Sequence, residues 1–304
     1  MMILSKKGPR NSSDAVLIHT IGYILIVVFC LLCLLPFILI ITSSFNSESS
    51  IIRNGYSFGI TDFSTSAYSL AFKSPVKILW AYRNTICATV IGTTCAVLLA
   101  TMTGFVLQRK DFAWRNAFSF FFFFTMLFNG GLVPWYILCV RYLGLKNNFL
   151  ALILPLMFSV WNMIIAKSFI RGIPFEITES VKVDGGNDIT IFFRIILPMS
   201  KPLLATIGLF TALAYWNDWY NSMLFISKDY LKSLQYFLHE LLTSIQAMKL
   251  LATYDNPAAL QGITLPQESL KMAMTIITTG PILFLYPFVQ KYFIKGLTIG
   301  AVKG

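Results

Sequence analysis

Charged side chains are scarce in this sequence, and acidic ones are scarcer than basic ones. Asp, Glu, Lys and Arg make up 12% of the 304 residues, whereas 56% are hydrophobic. Soluble domains carry about twice that charged fraction, which excludes a soluble globular protein and leaves most of the surface to face lipid or other apolar helices. The net charge is +11, but the basic residues are scattered between apolar runs. This scatter argues against nucleic acid as a partner.

Motifs for metal binding and disulfide formation are missing as well. The two histidines, His19 and His239, lie far apart in the sequence, and all five cysteines fall in apolar segments. Cys30 and Cys33 have the spacing of half a zinc site, but no second Cys or His pair follows them. We therefore predict no disulfide and no metal site, and we expect the cysteines to serve packing. They are Cys30, Cys33, Cys87, Cys95 and Cys139.

The sequence also lacks a phosphate-binding loop of the form Gly-x-x-x-x-Gly-Lys-(Ser/Thr). Without that loop the chain cannot hold ATP in the usual way, and we predict that it binds no cofactor itself. A membrane-embedded enzyme, such as a glycosyl or lipid transferase, would need paired acids, a metal cluster or a nucleophile with its base in the apolar segments. Only Asp218 is available there, so the sequence argues against an enzyme.

What the sequence does contain is six apolar runs of the length that crosses a bilayer, about 20 residues. The first is too long for a signal peptide and no Ala-x-Ala cleavage site follows it, so it is interpreted as a true span. The sequence thus predicts an all-α integral membrane protein with six transmembrane helices. Pro36, Pro134, Pro155 and Pro281 predict kinks in four of them. The predicted spans are 21–41, 85–107, 118–140, 150–166, 203–226 and 272–288.

A further segment, 231–250, is amphipathic rather than uniformly apolar. Its polar face carries His239 and Glu240 near the middle. A charged residue at the centre of a span raises the free energy of membrane insertion by roughly 2.5–3.5 kcal/mol. We therefore expect a helix that lies on the membrane or under a partner. Its apolar face comprises Leu231, Leu234, Leu238, Leu241, Ile245 and Met248.

The distribution of Lys and Arg predicts the orientation. Six spans put both termini on one side. If that side is the cytoplasm, the inner segments hold fourteen of the 24 Lys and Arg residues, mostly next to span ends, as the positive-inside rule requires. This assigns 1–18 to a cytoplasmic N-terminal segment and 19–304 to the transmembrane domain. The loop 171–202 is then cytoplasmic, and the loops 45–79 and 227–271 are external.

The loop 171–202 has the most distinctive pattern in the chain. Pro174 suits the first turn of a short helix, and Gly185 and Gly186 can end that helix with left-handed backbone angles. A second short apolar helix, 189–196, leads to Pro198. The pattern predicts a rigid helix-turn-helix on the membrane surface that another protein can hold.

This pattern resembles the EAA loop of permeases in binding-protein-dependent ABC importers, whose usual form is Glu-Ala-Ala, three residues, Gly, and about nine residues to Ile-x-Leu-Pro. The two alanines are replaced by Ser and Val. The resemblance implies a coupling helix that docks into a cleft on a separate ATPase, with Glu179 pairing with a cation or N–H there. It implies that Ile177 and Val181 fill an apolar slot and that Gly185 permits close approach. The matching residues are Glu179, Asp184, Gly185, Ile195, Leu197 and Pro198. Ser180 and Val181 take the places of the alanines, Gly186 follows the motif glycine, and these three belong to the implied coupling site as well.

Other segments resemble carbohydrate importer permeases of the maltose type, especially the oligosaccharide and polysaccharide branch. Residues 83–85 resemble the Asn-Thr start of the second span, and 129–134 resemble a Gly-Gly-Leu-Ile-Pro segment. Residues 216–219 match a Trp-Asn-(Asp/Glu) stretch, and 290–304 resemble the ending of the family.

The resemblance implies a type I ABC importer permease fold in the bacterial cytoplasmic membrane and transport by alternating access. The implied partners are a sister permease, forming a heterodimer, a cytoplasmic ABC ATPase dimer that binds ATP and Mg, and an extracytoplasmic solute-binding protein. The implied substrate is a carbohydrate, either an oligosaccharide or a polysaccharide fragment. A permease of the same architecture for another solute, such as an amino acid, phosphate or polyamine, is the alternative.

Aromatic and amide side chains within the spans are candidates for the substrate path. Rings stack on the apolar faces of pyranoses, while a few amides and carboxylates bind hydroxyls. Asp218 is the foremost candidate, because an ionisable residue at membrane depth is a functional hypothesis by default. Interfacial anchoring of Trp and Tyr and interhelical hydrogen bonding of Asn are alternative roles that stay open. The candidates are Asn129, Trp135, Tyr136, Trp161, Asn162, Trp216, Asn217, Asp218, Trp219 and Tyr220.

Overall fold

A computed structural model of the chain describes residues 13–255 and 266–283. These residues form helices and loops, with one isolated bridge between Asn46 and Phe63, which confirms the all-α prediction. The chain divides into two compact units. One contains the residues up to Ala71 together with Ile245–Ile277, and the other contains Phe72–Ser244 and the residues from Thr278 onward.

The first unit is dominated by a long apolar helix, α1 (Ser13–Ser44), which contains Pro36 and is followed by α2 (Glu48–Asn54) and α3 (Ser66–Ala71). Along α1 the apolar side chains from Val16 to Phe37 are exposed, so they need lipid or a partner helix to cover them. The buried Glu48 carboxylate accepts hydrogen bonds from the backbone N–H groups of Glu268 and Ser269, each at 3.0 Å. It thereby caps the helix over 268–283, because a carboxylate satisfies the free N–H groups and the dipole at a helix start.

The second unit is built around α4 (Pro75–Gln108), against which the helices α7 and α11 pack. Two short 3-10 stretches, at Phe149–Leu152 and Leu154–Leu156, precede α7, and π-helical turns follow α6 and α9. The helices that begin in this unit after α4 are α5 (Arg115–Leu127), α6 (Leu132–Ile137), α7 (Val160–Arg171), α8 (Phe175–Val183), α9 (Asp188–Thr190), α10 (Leu197–Met199), α11 (Lys201–Trp216), α12 (Tyr220–Phe225) and α13 (Leu234–Asp255).

A stripe of small residues on α4 explains this packing. Ala88, Gly92, Ala96, Ala100 and Gly104 recur every fourth residue and are buried, so they share one helix face. Small side chains let helix backbones approach closely in membranes. A Cβ atom added to Gly104 would lie 2.8 Å from a backbone nitrogen of α7, and one added to Gly92 would lie 2.3 Å from a ring carbon of α11. The stripe therefore determines how near α7 and α11 come to α4.

Not all the predicted spans are single helices. Within the described residues, two helices are long and apolar enough to cross a membrane alone, Val16–Ser44 and Pro75–Gln108. Three further pairs qualify together but are bent at a short break, by 113°, 51° and 81° respectively. These pairs are Arg115–Leu127 with Leu132–Tyr142, Phe149–Leu156 with Val160–Arg171, and Asp188–Met199 with Lys201–Trp216. The sixth predicted span, 272–288, is described only up to residue 283, so the count of six stays a prediction.

The breaks have local causes. In the predicted span 118–140, the Asn129 side chain accepts a hydrogen bond from the N–H of Gly131 at 2.8 Å, and Gly131 has a φ of 90°, which only glycine adopts readily. In the span 150–166, residues 149–156 form 3-10 turns around Pro155, which has no N–H to donate. The span 203–226 is interrupted between α11 and α12. The bends in the spans 118–140 and 150–166 agree with the kinks predicted from Pro134 and Pro155, whereas the interruption of the span 203–226 was not predicted.

The amphipathic segment forms α13, which starts at Leu234 rather than at Leu231. Leu234 and Leu238 are buried as predicted, whereas Met248 is exposed. The start of α13 is held by the Asn-Thr pair of α4. Asn84 Nδ2 donates to the carbonyl oxygens of Tyr230 and Lys232 at 2.8 and 3.1 Å.

We expect Asn84→Ala to lower the free energy of unfolding by about 1–3 kcal/mol, because two carbonyl groups in a buried region lose their donor. Unfolding in detergent by heat or denaturant would measure the change. Thr94→Ala is the matched control on the same helix, since Thr94 is exposed and its hydroxyl donates to the Val90 carbonyl of its own helix. Equal stability of the two variants would contradict the anchoring role of Asn84.

Candidate functional site

The helix α8 in the loop 171–202 ends in a Schellman motif. Gly186 donates its N–H to the carbonyl of Val181 at 2.8 Å, and Gly185 donates to Lys182 at 3.0 Å, the 6→1 and 5→2 pattern of this motif. Gly185 has a φ of 80°. The glycine pair therefore ends the helix, as the sequence predicted.

The sequence predicted left-handed backbone angles for both glycines, but only one of them has such angles. Gly185 alone of the pair has a left-handed φ, and nothing lies within 4 Å of a Cβ added there. Close approach occurs at Gly186, where an added Cβ would lie 2.5 Å from Val181 Cγ1. The reason is that the chain folds back over the last turn of α8 after the left-handed residue.

One face of α8 is exposed along its whole length. Phe175, Glu179 and Val183 are spaced four residues apart and so lie on one face, and Val183 has an exposed fraction of 86%. The carboxylate of Glu179 has no hydrogen bond or ion pair within the described part of the chain. Phe175, Glu179 and Val183, here called the exposed stripe, form an apolar–acidic–apolar surface.

The inner face of α8 holds Thr178 and Val181. Thr178 is buried, and Val181 packs against the apolar cluster that joins α4, α7 and the π-helical turn after α9 to α11. Val181 supports the chain at Gly186 from this position, and its expected contact with an apolar slot on a partner stays a prediction. Val183 and Phe175 are the exposed apolar residues that the motif comparison missed. Their spacing of four from Glu179 could have identified them.

The remaining loop residues of the predicted set are divided between support and exposure. Ser180 Oγ donates to the Ile177 carbonyl at 3.0 Å, and Leu197 packs against the same apolar cluster. Asp184 and Pro198 are exposed. The cluster itself is anchored by contact of the Phe105 and Phe192 rings, whose centroids are 5.7 Å apart.

An ion cluster joins the loop to the end of α4. The Arg109 guanidinium pairs with Asp111, and Arg109 Nη1 lies 2.5 Å from Asp188 Oδ1. Lys182 Nζ is 3.4 Å from Asp111 Oδ2. The hydrogen bond from Arg109 holds the pKa of the Asp111 carboxyl well below its usual range. Arg109 thus contacts the start of α9 while Asp111 contacts the end of α8, and the sequence alone could not pair residues so far apart.

Several candidate path residues make structural contacts. Asn162 Nδ2 donates to Thr211 Oγ1 at 3.1 Å, and Trp216 Nε1 donates to the Thr278 carbonyl at 3.0 Å, both in buried positions. The Tyr136 ring stacks on Phe225 with centroids 5.9 Å apart. These contacts favour the alternative role of interhelical bonding and packing for these three residues.

The other path candidates are more accessible. Trp161 is 59% exposed, and Trp135, Trp219 and Tyr220 are each about 40% exposed. Asn129 and Asn217 are also exposed. These residues remain available to a ligand or to lipid.

A polar and aromatic cluster forms at the break between α11 and α12. The Asp218 side chain accepts hydrogen bonds from the N–H and Nδ2 of Asn221 at 3.2 and 3.0 Å, and so caps α12. The Trp219 ring contacts Tyr220 and His239, with centroids 5.9 and 4.7 Å away. His239 therefore lies beside the candidate path. The proximity of α13 to this break was not visible in the sequence.

A second ion cluster lies around Asp229. Its carboxylate oxygens are 2.6 Å from Lys77 Nζ and 2.7 Å from Lys232 Nζ, and Lys232 also pairs with Glu240 at 2.6 Å. Hydrogen bonds from Lys232 and Lys77 lower the pKa of Asp229 from 3.8 to about 2.

This cluster predicts a pH dependence of stability. The folded state favours the Asp229 carboxylate, so its contribution is complete above the unfolded-state pKa and is lost as the pH falls through the folded pKa. Solvent screening at this half-exposed side chain keeps the contribution small. We expect the unfolding temperature of Asp229→Asn to fall less than that of the wild type between about pH 4 and about pH 2. Asp184→Asn, an exposed control, should follow the wild type, and parallel curves for all three proteins would contradict the prediction.

The chain is similar to several named permeases. It is 36% identical over 282 residues to the polygalacturonan/rhamnogalacturonan transport system permease protein YtcP of Bacillus subtilis (strain 168), covering 93% of this chain and 96% of that protein. It is 36% identical over 271 residues to Protein LplC of the same organism, covering 89% and 90%. It is 27% identical over 293 residues to the arabinooligosaccharides transport system permease protein AraQ of Halalkalibacterium halodurans, covering 94% and 95%.

A solved structure supports the same comparison. The chain superimposes with a TM-score of 0.75 and 27% identity on a chain from the crystal structure of a bacterial ABC transporter involved in the import of the acidic polysaccharide alginate. The match covers 94% of this chain and 100% of the other. No protein-family model matches the chain.

Proposed function

Because the chain belongs to the family of ABC transport system permeases for sugars and polysaccharides, we propose that it forms part of the translocation path of a binding-protein-dependent importer. It is a membrane protein and a transporter subunit rather than an enzyme. The proposal places it in the bacterial cytoplasmic membrane as a multi-pass protein with both termini in the cytoplasm. ATP and Mg bind to the partner ATPase, and this chain holds no cofactor.

The proposed assembly contains four kinds of component. This chain pairs with a sister permease in a heterodimer, a cytoplasmic ABC ATPase dimer supplies energy, and an extracytoplasmic solute-binding protein delivers substrate to the loops 45–79 and 227–271. The uncovered apolar surface of α1 supports a partner or lipid at that helix.

The proposed coupling step rests on the exposed stripe of α8. Glu179 is unpaired within the described residues, and Phe175 and Val183 extend the surface on either side. Lys182 of α8 lies 3.4 Å from Asp111, which follows α4, and Val181 packs against the apolar cluster that includes Phe105 of α4. These contacts support a movement of α8 together with α4. When the ATPases close on ATP, they pull α8, and α4 and α11 transmit the displacement to the external side.

The proposed substrate is an oligosaccharide or a polysaccharide fragment. The relatives are named for polygalacturonan, rhamnogalacturonan and arabinooligosaccharides, and the solved structure for alginate. The accessible rings of Trp219 and Tyr220 beside Asp218 suit a sugar, because rings cover its apolar faces while a carboxylate or amide binds its hydroxyls.

Reconstitution tests this function. The complete transporter in proteoliposomes is supplied with its binding protein and with galacturonan, arabinan or alginate fragments, and ATP hydrolysis and uptake are measured. Matched incubations contain amino acids, phosphate or polyamines. We expect stimulation by at least one class of sugar fragment and by none of the other solutes. Stimulation by a non-sugar solute alone would establish the alternative and overturn the proposal.

A further inference from the structure

A basic cleft of about 640 Å³ lies beside the coupling loop. It is enclosed by the end of α4, the start of α5, the end of α7 and the first turn of α8. Ile170 and Ile196, each 1% exposed, line its floor. Lys110, Arg115, Lys167, Arg171 and Glu176 supply its charges.

The four cations of this cleft differ in their partners from the basic residues of the neighbouring Arg109 ion cluster. Among the described residues, no carboxylate lies within ion-pair distance of them. Lys167 Nζ donates to Ser119 Oγ at 2.8 Å, and Arg115 Nη1 donates to the Arg109 carbonyl at 3.3 Å, so their partners are neutral. Lys167 is also repelled by Arg171 and Arg115.

Within the described residues, the basic residues of the neighbouring Arg109 ion cluster are paired with carboxylates, unlike those of the cleft. Arg109 and Lys182 are close to the cleft in the fold but are paired with Asp111 and Asp188. The cleft holds four cations and the single carboxylate of Glu176, a net charge of +3 from 4 − 1. Like charges held around a partly enclosed space raise the energy of the folded state, and a bound anion offsets this repulsion. Arg and Lys together suit phosphate, which accepts several charge-assisted hydrogen bonds.

We propose that this cleft binds the phosphate headgroup of an anionic phospholipid from the cytoplasmic leaflet. The inference rests on the orientation in the proposed function, which puts the cleft at the level of that leaflet's headgroups. Basic pockets between helices on this side are suited to such headgroups. The helix α5 starts at the cleft with Arg115 and continues into the exposed rings of Phe118 and Phe121. The acyl chains lie along this apolar surface, which a free phosphate ion would leave unused.

The bound lipid would act on the joint between α7 and α8. Arg171 ends α7, and Phe175 starts α8 across a short turn at Gly172–Pro174. Neutralising the repulsion between Arg171, Lys167 and Arg115 stiffens that joint. The anionic lipid therefore supports coupling without touching the substrate.

The test measures lipid binding to the complete transporter. Spin-labelled phosphatidylglycerol is titrated into vesicles of phosphatidylcholine that contain the wild type, Lys167→Gln/Arg171→Gln or Lys110→Gln/Arg115→Gln. Arg194→Gln/Lys201→Gln, which removes two exposed cations outside the cleft, is the matched control. We expect each cleft variant to weaken binding by about tenfold or more and the control to bind like the wild type. Two separate cleft variants keep the test valid if one fails to assemble.

Further arms identify the source of the phosphate. Inorganic phosphate in the buffer should not displace the labelled lipid, and displacement at equal concentration would point to a free anion and overturn the proposal. Equal lipid binding by the cleft variants and the control variant would also overturn the proposal. The same holds if the ATPase covers the cleft completely in the assembled transporter, so that no lipid reaches it. Sugar uptake in vesicles of phosphatidylcholine alone tests the proposed transport function separately from the lipid site. If uptake occurs and the cleft variants bind lipid as the wild type does, the lipid site is overturned while the proposed function stands.

Discussion

A Glu179→Lys variant is expected to insert into the membrane as the wild type does and to transport no substrate. Glu179 is exposed and unpaired among the described residues, so its replacement leaves folding nearly unchanged, as for most surface positions. In the docked complex the new ammonium would face the cation or N–H that the carboxylate is proposed to bind. Such a charge pair in an interface contributes strongly, and its reversal should lower coupled ATP hydrolysis about a hundredfold or more.

Val183→Asp should have a similar effect, because it places a charge on the most exposed apolar position of the stripe. ATP hydrolysis stimulated by the loaded binding protein and uptake into proteoliposomes are the measurements. Lys201→Glu, also an exposed charge reversal, is the control and should retain both activities. Normal uptake by Glu179→Lys and Val183→Asp together would contradict docking through the exposed stripe.

The backbone of the same loop can be tested separately. Gly185→Val should insert but lose coupling, because a β-branched residue is strained at a φ of 80° and the Schellman motif would loosen. Gly144→Val is the control, since Gly144 has a φ of 63° but lies outside the coupling loop. Equal uptake by the two variants would show that the geometry at Gly185 is not needed for coupling.

Gly104→Val is expected to cause the largest loss of stability. An added Cβ would lie 2.8 Å from the Lys167 backbone nitrogen and 2.9 Å from Ala166 Cβ, and neither group can rotate away as a flexible side chain could. Overpacking of this kind typically costs about 1–3 kcal/mol, and a clash with backbone places the cost at the upper end or beyond. The variant should accumulate poorly in the membrane and unfold at a lower temperature in detergent.

Gly208→Val is the matched control for this prediction. Gly208 lies on α11, and a Cβ added there would meet Val97 Cγ2 at 3.8 Å, an ordinary contact. Its unfolding temperature should be much closer to that of the wild type. Comparable stability of the two variants would contradict the close approach of α4 and α7.

The loop 171–202 shows which structural features could be predicted from local sequence patterns. The helix end at Gly185 was predictable, because a left-handed residue after a helix depends on the local backbone alone. The direction in which Val181 and Val183 point was not predicted. It depends on the apolar cluster around Phe105 and Phe192, which comes from helices distant in the sequence. No local pattern predicted the pairing of Arg109 with Asp188, which exists because α4 ends beside α9.

The sequence by itself determined the membrane class, the helical fold and the family, because apolar runs, turn glycines and motif spacing are properties of short segments. The tertiary structure decided where the spans break, which glycines of α4 set the distance to α7 and α11, and which side of α8 stays exposed. It also brought four cations around one cleft, where none of them forms an ion pair with a carboxylate of the described residues. These features arise from surfaces that meet only after folding, so no single segment carries a signal for them.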